Sequence, residues 1–190
     1  MRPGATRYGA VAITFHWLIA LLIIVNFGLG LYFVQLRLSP GKLALISQHK
    51  WIGVTVFVLC AARLLWRCTH PAPALAPSLP TWQRHAAHAV HAVLYILMVA
   101  APLSGWLYSS AVGVPTVYLG ISALRLPDLL GKDAALAATL KLVHRVINYS
   151  LATLVVAHLA AALKHQLVDR DGTLARMLPF LKTSSMMGKT

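Results

Sequence analysis

Charged residues divide the chain into long apolar runs. None occurs between Arg7 and Arg37, a stretch of 29 positions from Tyr8 to Leu36, longer than the ~20 residues that cross a bilayer core. A basic start before an apolar run also outlines a signal peptide, but this run is too long and lacks a small-residue cleavage site. It predicts a membrane helix over about 10–34. A second run, about 48–66, carries Arg63 and Arg67 near its far end, where long stems snorkel to the interface. The Pro-rich stretch from His70 to Pro80 cannot continue a helix. A third helix is expected over about 85–108, kinked near Pro102 and Gly105. A longer connection, from Ser109 to about Thr139, precedes a fourth helix over about 140–165 and a polar, basic tail over 167–190. Trp17, Trp51, Trp66, Trp82 and Trp106 fall near the predicted helix ends, as in an aromatic belt. The expected fold is all-α, an integral membrane four-helix bundle in which 1–190 form a single domain.

Composition agrees. Hydrophobic residues make up 58% and charged residues 11%, against roughly 45–50% and 25% in soluble domains. The charged set is 17 Lys and Arg with four Asp and no Glu, a net charge of +13. The basic residues are scattered singly between apolar stretches, which excludes a soluble nucleic-acid binder with a basic face. No carboxylate occurs within the apolar segments, so acid/base chemistry by Asp or Glu is excluded there. Cys60 and Cys68, eight residues apart, would stand roughly 12 Å apart on one helix, too far for a disulfide.

With four spans, both termini and the second connection share one side. That side holds ten cations (Arg2, Arg7, Arg63, Arg67, Arg84, Lys164, Arg170, Arg176, Lys182 and Lys189). The other holds seven: Arg37, Lys42, Lys50, Arg125, Lys132, Lys141 and Arg145. The positive-inside rule then puts the N- and C-termini in the cytoplasm.

The nine histidines are the candidate chemistry, because imidazoles inside a membrane are costly and usually functional. His144 and His158, fourteen residues apart, return to within roughly 40° of one helix face about 21 Å apart. Each has a partner at similar depth: His16 for His158 at the inner end, His49 for His144 at the outer end. Two pairs of facing imidazoles suit two bis-histidine haems, whose closed iron coordination favours electron transfer. Gly53, one turn after His49, would let a porphyrin approach the backbone. Zinc is a weaker alternative, with two ligands per level where a structural site needs four. His85, His88 and His91 recur every three residues and read as a wet interfacial face, with a metal patch, or His88 replacing His16 as inner ligand, as alternatives. His165 lies at the inner water boundary, either a possible quinone contact or a solvated imidazole. Lys50 adjoins His49, and Lys141 and Arg145 flank His144. They are placed to pair with propionates, to attract an anionic substrate, or simply to anchor the interface.

The order and spacing of several motifs resemble the bacterial cytochrome b561 family of di-haem membrane proteins, and within it the superoxide oxidases (superoxide:quinone oxidoreductases). The carriers are Ile13-Thr14-Phe15-His16-Trp17, His49 with Gly53, Arg63-Leu64-Leu65-Trp66-Arg67 and His88-Ala89-Val90-His91. They continue with Ala101-Pro102-Leu103-Ser104-Gly105, His144 with His158, and Asp171 to Pro179 in the tail. The resemblance implies two haem b groups with iron ligands His16, His49, His144 and His158, the set also reached from depth. It implies quinone (ubiquinone) near the inner haem as electron acceptor, superoxide at the outer face as donor, and a bacterial inner-membrane location among lipid. Two other readings stand beside it. One is the cytochrome b subunit of a dehydrogenase or hydrogenase complex with a redox partner subunit. The other is a non-redox transporter using histidines for protons or metal.

Overall fold

A computed structural model describes residues 7–73, 80–178 and 180. Four long helices, α1 (Ala10–Val34), α2 (Pro40–Thr69), α3 (Thr81–Val112) and α4 (Ala134–Lys164), make up the architecture, and no named strand occurs among the described residues. All four are long and apolar enough to cross a membrane. Arg2, Lys182 and Lys189, the Pro-rich stretch at 74–79, Pro179 and the tail beyond 180 lie outside the described residues.

The first helix matches its expected bounds; α2 and α3 extend beyond theirs at both ends and α4 at its start. α2 begins eight residues before 48, because Ser39 accepts a hydrogen bond from Lys42 N (3.2 Å) and Pro40 occupies the first turn. Proline there needs no N–H partner and is preset for a helix. α4 begins at Ala134 because Asp133 Oδ1 accepts from Ala135 N and Leu136 N, both at 2.9 Å, a strong N-cap. α3 runs through Pro102 as one helix and ends at Gly113, whose φ of 78° suits glycine.

Consecutive helices pack side by side, α1 on α2, α2 on α3 and α3 on α4. α1 and α4 make almost no close backbone approach; they meet through ring contacts such as Phe27 on Tyr149, 5.7 Å between centres. The space between them is bridged by side chains rather than closed. Ile19, Val56, Cys60, Leu94, Met98, Ala101 and Leu151 form the buried core. Leu21, Val58, Leu65 and Ile96 are exposed, as helices apolar all round require when lipid surrounds them.

The 113–133 connection is a strapped loop rather than a free one. Trp51 Nε1 donates to Val117 O (2.7 Å), Trp106 Nε1 to Pro127 O (3.0 Å) and Lys50 Nζ to Val114 O (3.2 Å). At the opposite end, α4 continues through a wider turn, His165–Asp169, and the chain folds back so that Trp17 Nε1 donates to Met177 O at 2.8 Å.

Candidate functional site

At the loop end of the bundle, His49 and His144 face one another with ring centres 6.1 Å apart at 90°. His49 Nδ1 lies 3.1 Å from Asn26 O, and His144 Nδ1 lies 3.1 Å from Ala101 O. Ser104 Oγ donates to Ala101 O (2.8 Å) and stands 2.9 Å from His144 Nδ1. A carbonyl only accepts, so each Nδ1 carries the proton and each Nε2 keeps its lone pair for a metal. Backbone glycines make room for the rings. A Cβ on Gly105 would stand 3.0 Å from His144 Cε1, and one on Gly30 would stand 3.4 Å from His49 Cε1. Both imidazoles line an apolar cavity of about 280 Å³, its other walls including Phe27, Gly53, Phe57, Asn148 and Leu151.

At the terminal end, His16 and His158 face each other at 6.3 Å and 70°. A metal bound by one nitrogen of each ring, with bonds of about 2 Å, holds ring centres roughly 6 Å apart. Both pairs fit a bis-histidine iron on that measure. α4 supplies one imidazole to each, on the stripe His144, Asn148, Leu151, Val155 and His158.

A third imidazole stands at the terminal end that the sequence reading assigned to a wet face. His91 is half-buried, its ring centre 5.3 Å from that of His158, closer than the roughly 6 Å of two imidazoles on opposite sides of one metal. It lies one turn before Leu94 on the buried face that continues to Met98 and Ala101. A three-residue step turns a helix by 300°, so His88 and His85 drift roughly 60° and 120° off that face, and both are exposed. His85 and His88 are thus off the packed face, and His91 is part of it. Among the described residues, the group of three ligand-type side chains converging on one point is His165, Asp169 and Asp171. Neither imidazole level gathers three ligands as zinc would require.

His165 Nδ1 sits 3.0 Å from Asp169 Oδ2 and 2.9 Å from Asp171 Oδ2, two partners that its sequence position did not reveal. Burial would raise the Asp171 carboxyl, but hydrogen bonds from Thr173 and the nearby imidazole hold it below its ordinary value. Of the three flanking cations, Lys50 lines the loop-end cavity and is tied to Ser109 Oγ and Val114 O. Lys141 is exposed. Arg145 lines a groove between α3 and α4 with Val93 and Tyr149, away from that cavity. Arg63 and Arg67 both lie over the Tyr95 ring, 5.4 and 5.7 Å from its centre, where simple snorkelling was expected.

The sequence model of the family described as prokaryotic cytochrome b561 matches residues 7–180. "Cytochrome b561 homolog 2" of Escherichia coli (strain K12) is 37% identical over 183 residues, covering 96% of this chain and 95% of that protein. "Cytochrome b561 homolog 1" of the same organism is 29% identical over 91% of this chain and 97% of its own length. The "Probable superoxide oxidase CybB" of Yersinia pestis is 29% identical over 91% of this chain and 96% of its own length.

Proposed function

This chain belongs to the prokaryotic cytochrome b561 family, and on that premise we propose that it is a di-haem superoxide:quinone oxidoreductase of the bacterial inner membrane. Membership itself makes it a membrane electron-transfer protein with b-type haem, and so sets the transporter reading aside. In our reading His16 and His158 hold the inner haem and His49 and His144 the outer one, with the termini in the cytoplasm. The observation that carries it is the pair of imidazole gaps, 6.3 and 6.1 Å, at opposite ends of one helix. When bound, the haems supply one-electron oxidation and reduction.

The chain's own residues do the rest. Asn26 O and Ala101 O orient the outer imidazoles. Lys50, Lys141 and Arg145 add positive charge around the outer end, which favours the approach of an anion. At the inner end, His165 between Asp169 and Asp171 is placed to pass protons to a quinone. The overall balance is two superoxide, one quinone and two protons giving two dioxygen and one quinol. The relative named as a superoxide oxidase supports the donor.

The test is the visible spectrum and haem content of the purified protein, followed by superoxide generation in the presence of a quinone. Two reducible haems per chain and quinol formation that superoxide dismutase abolishes are expected. Haems reduced solely when a co-purifying subunit is present would instead identify the cytochrome of a dehydrogenase or hydrogenase complex.

A further inference from the structure

Among the described residues, the arginine pair on α2 has no acidic partner within ion-pair distance. The chain holds four acidic residues, all of them engaged elsewhere. Asp128 pairs with Arg125, Asp133 caps α4, Asp169 pairs with Lys164 and His165, and Asp171 faces His165 and Thr173. Arg63 and Arg67 stand one helical turn apart, a spacing at which like charges repel. Both are held over the single Tyr95 ring from α3. That ring attracts each cation but cannot neutralise either.

Their surroundings point to the missing partner. Arg63 is half-buried and within electrostatic range of His16, His91 and His158. Tyr95 sits one turn beyond His91, so the stack belongs to the terminal-end histidine group. A guanidinium at the edge of an apolar interior needs an anion, and its planar fork matches a carboxylate in two parallel hydrogen bonds.

We propose that Arg63 and Arg67, stacked on Tyr95, form the seat for the propionate carboxylates of the inner haem. This rests on the two-haem reading above. The stack orients the porphyrin edge toward α2 and α3 and offsets its negative charge. A lipid phosphate offers similar anionic chemistry, and the ligand histidines beside Arg63 are the reason to prefer the haem.

The experiment uses the full-length, haem-loaded protein with Arg63→Gln, Arg67→Gln, the double substitution, and Arg63→Lys with Arg67→Lys. Haem content and the midpoint potential of each haem are measured. The double Gln variant should fall from two haems per chain toward one. Inner haem that remains should titrate at a lower potential, because unneutralised propionates favour ferric iron. The outer haem, unchanged in the same molecules, reports intact folding, and the double Lys variant should recover much of the potential. Should the double Gln variant lose both haems, the single variants decide by whether the inner potential alone moves. Unchanged inner-haem content and potential in the Gln variants would overturn the seat while leaving the two-haem reading intact. A melting-temperature gain in phosphatidylglycerol over phosphatidylcholine vesicles, lost in those same haem-unaffected variants, would assign the pair to lipid. A wild-type protein lacking the inner haem would overturn both readings.

Discussion

Replacing Gly53 with alanine gives opposite signs according to what the cavity wall faces. Within the protein alone, a Cβ on Gly53 meets just Asn26 Nδ2, at 3.9 Å, an ordinary van der Waals distance. Gly53 lies in the middle of α2, where alanine is favoured over glycine by about 0.5–1 kcal/mol. Packing and propensity together therefore predict a slightly more stable helix. The proposed porphyrin reverses this, since its face would approach the α2 backbone where the new methyl stands. Overpacking a filled site costs about 1–3 kcal/mol, which is roughly a 5- to 150-fold loss of outer-haem affinity. The assay is haem content per chain and the spectrum of each haem, beside thermal melting. The expected result is selective loss or distortion of the outer haem with the inner one unchanged. A Gly53→Ala protein with both haems intact and a raised melting temperature would refute a flat cofactor against that wall.

Three further outcomes test the site. His144→Ala and His49→Ala should each remove the outer haem, and His158→Ala and His16→Ala the inner one, whereas His88→Ala and His91→Ala should leave two haems per chain by pyridine haemochrome assay. Superoxide-driven haem reduction should slow as salt rises, because exposed charges are screened beyond about 8 Å at physiological ionic strength. Lys50→Glu, Lys141→Glu and Arg145→Glu should slow it further and flatten that dependence, with a neutral reductant unaffected in stopped-flow traces. The Asp171 carboxyl is depressed, so its stabilisation of the tail is full above the ordinary carboxylate value and is lost as pH falls through the lowered one. Limited proteolysis of the tail should therefore show protection at neutral pH that disappears in acid, and Asp171→Asn should be susceptible at both.

The helices were legible because apolar runs and isolated cations are set by the bilayer, which acts on each segment separately. Their starts were less so. Ser39 before Pro40 is a helix-start signal, and Asp133 before the small residues Ala134 and Ala135 is another. The histidine pairs were legible because depth follows from counting residues along a span. His91 was recoverable from its register with Leu94, Met98 and Ala101. Two partnerships were not recoverable: the Tyr95 stack, and the Ser104 and Ala101 hold on His144. Each joins residues from different helices, and no local pattern encodes that meeting.

One feature of α4 bears on how the protein is made. On the proposed ligand set, α1 contributes one imidazole to the inner pair and α2 one to the outer pair, while α4 completes both. A nascent chain that has inserted three spans therefore owns two half-sites and cannot capture iron at either by paired ligation. Cofactor acquisition at either centre then follows insertion of the last span. Thirteen residues separate His144 from His158. Deleting one of them would turn the distal imidazole by about 100°, so inherited length changes are tolerable in the loops and not in that interval.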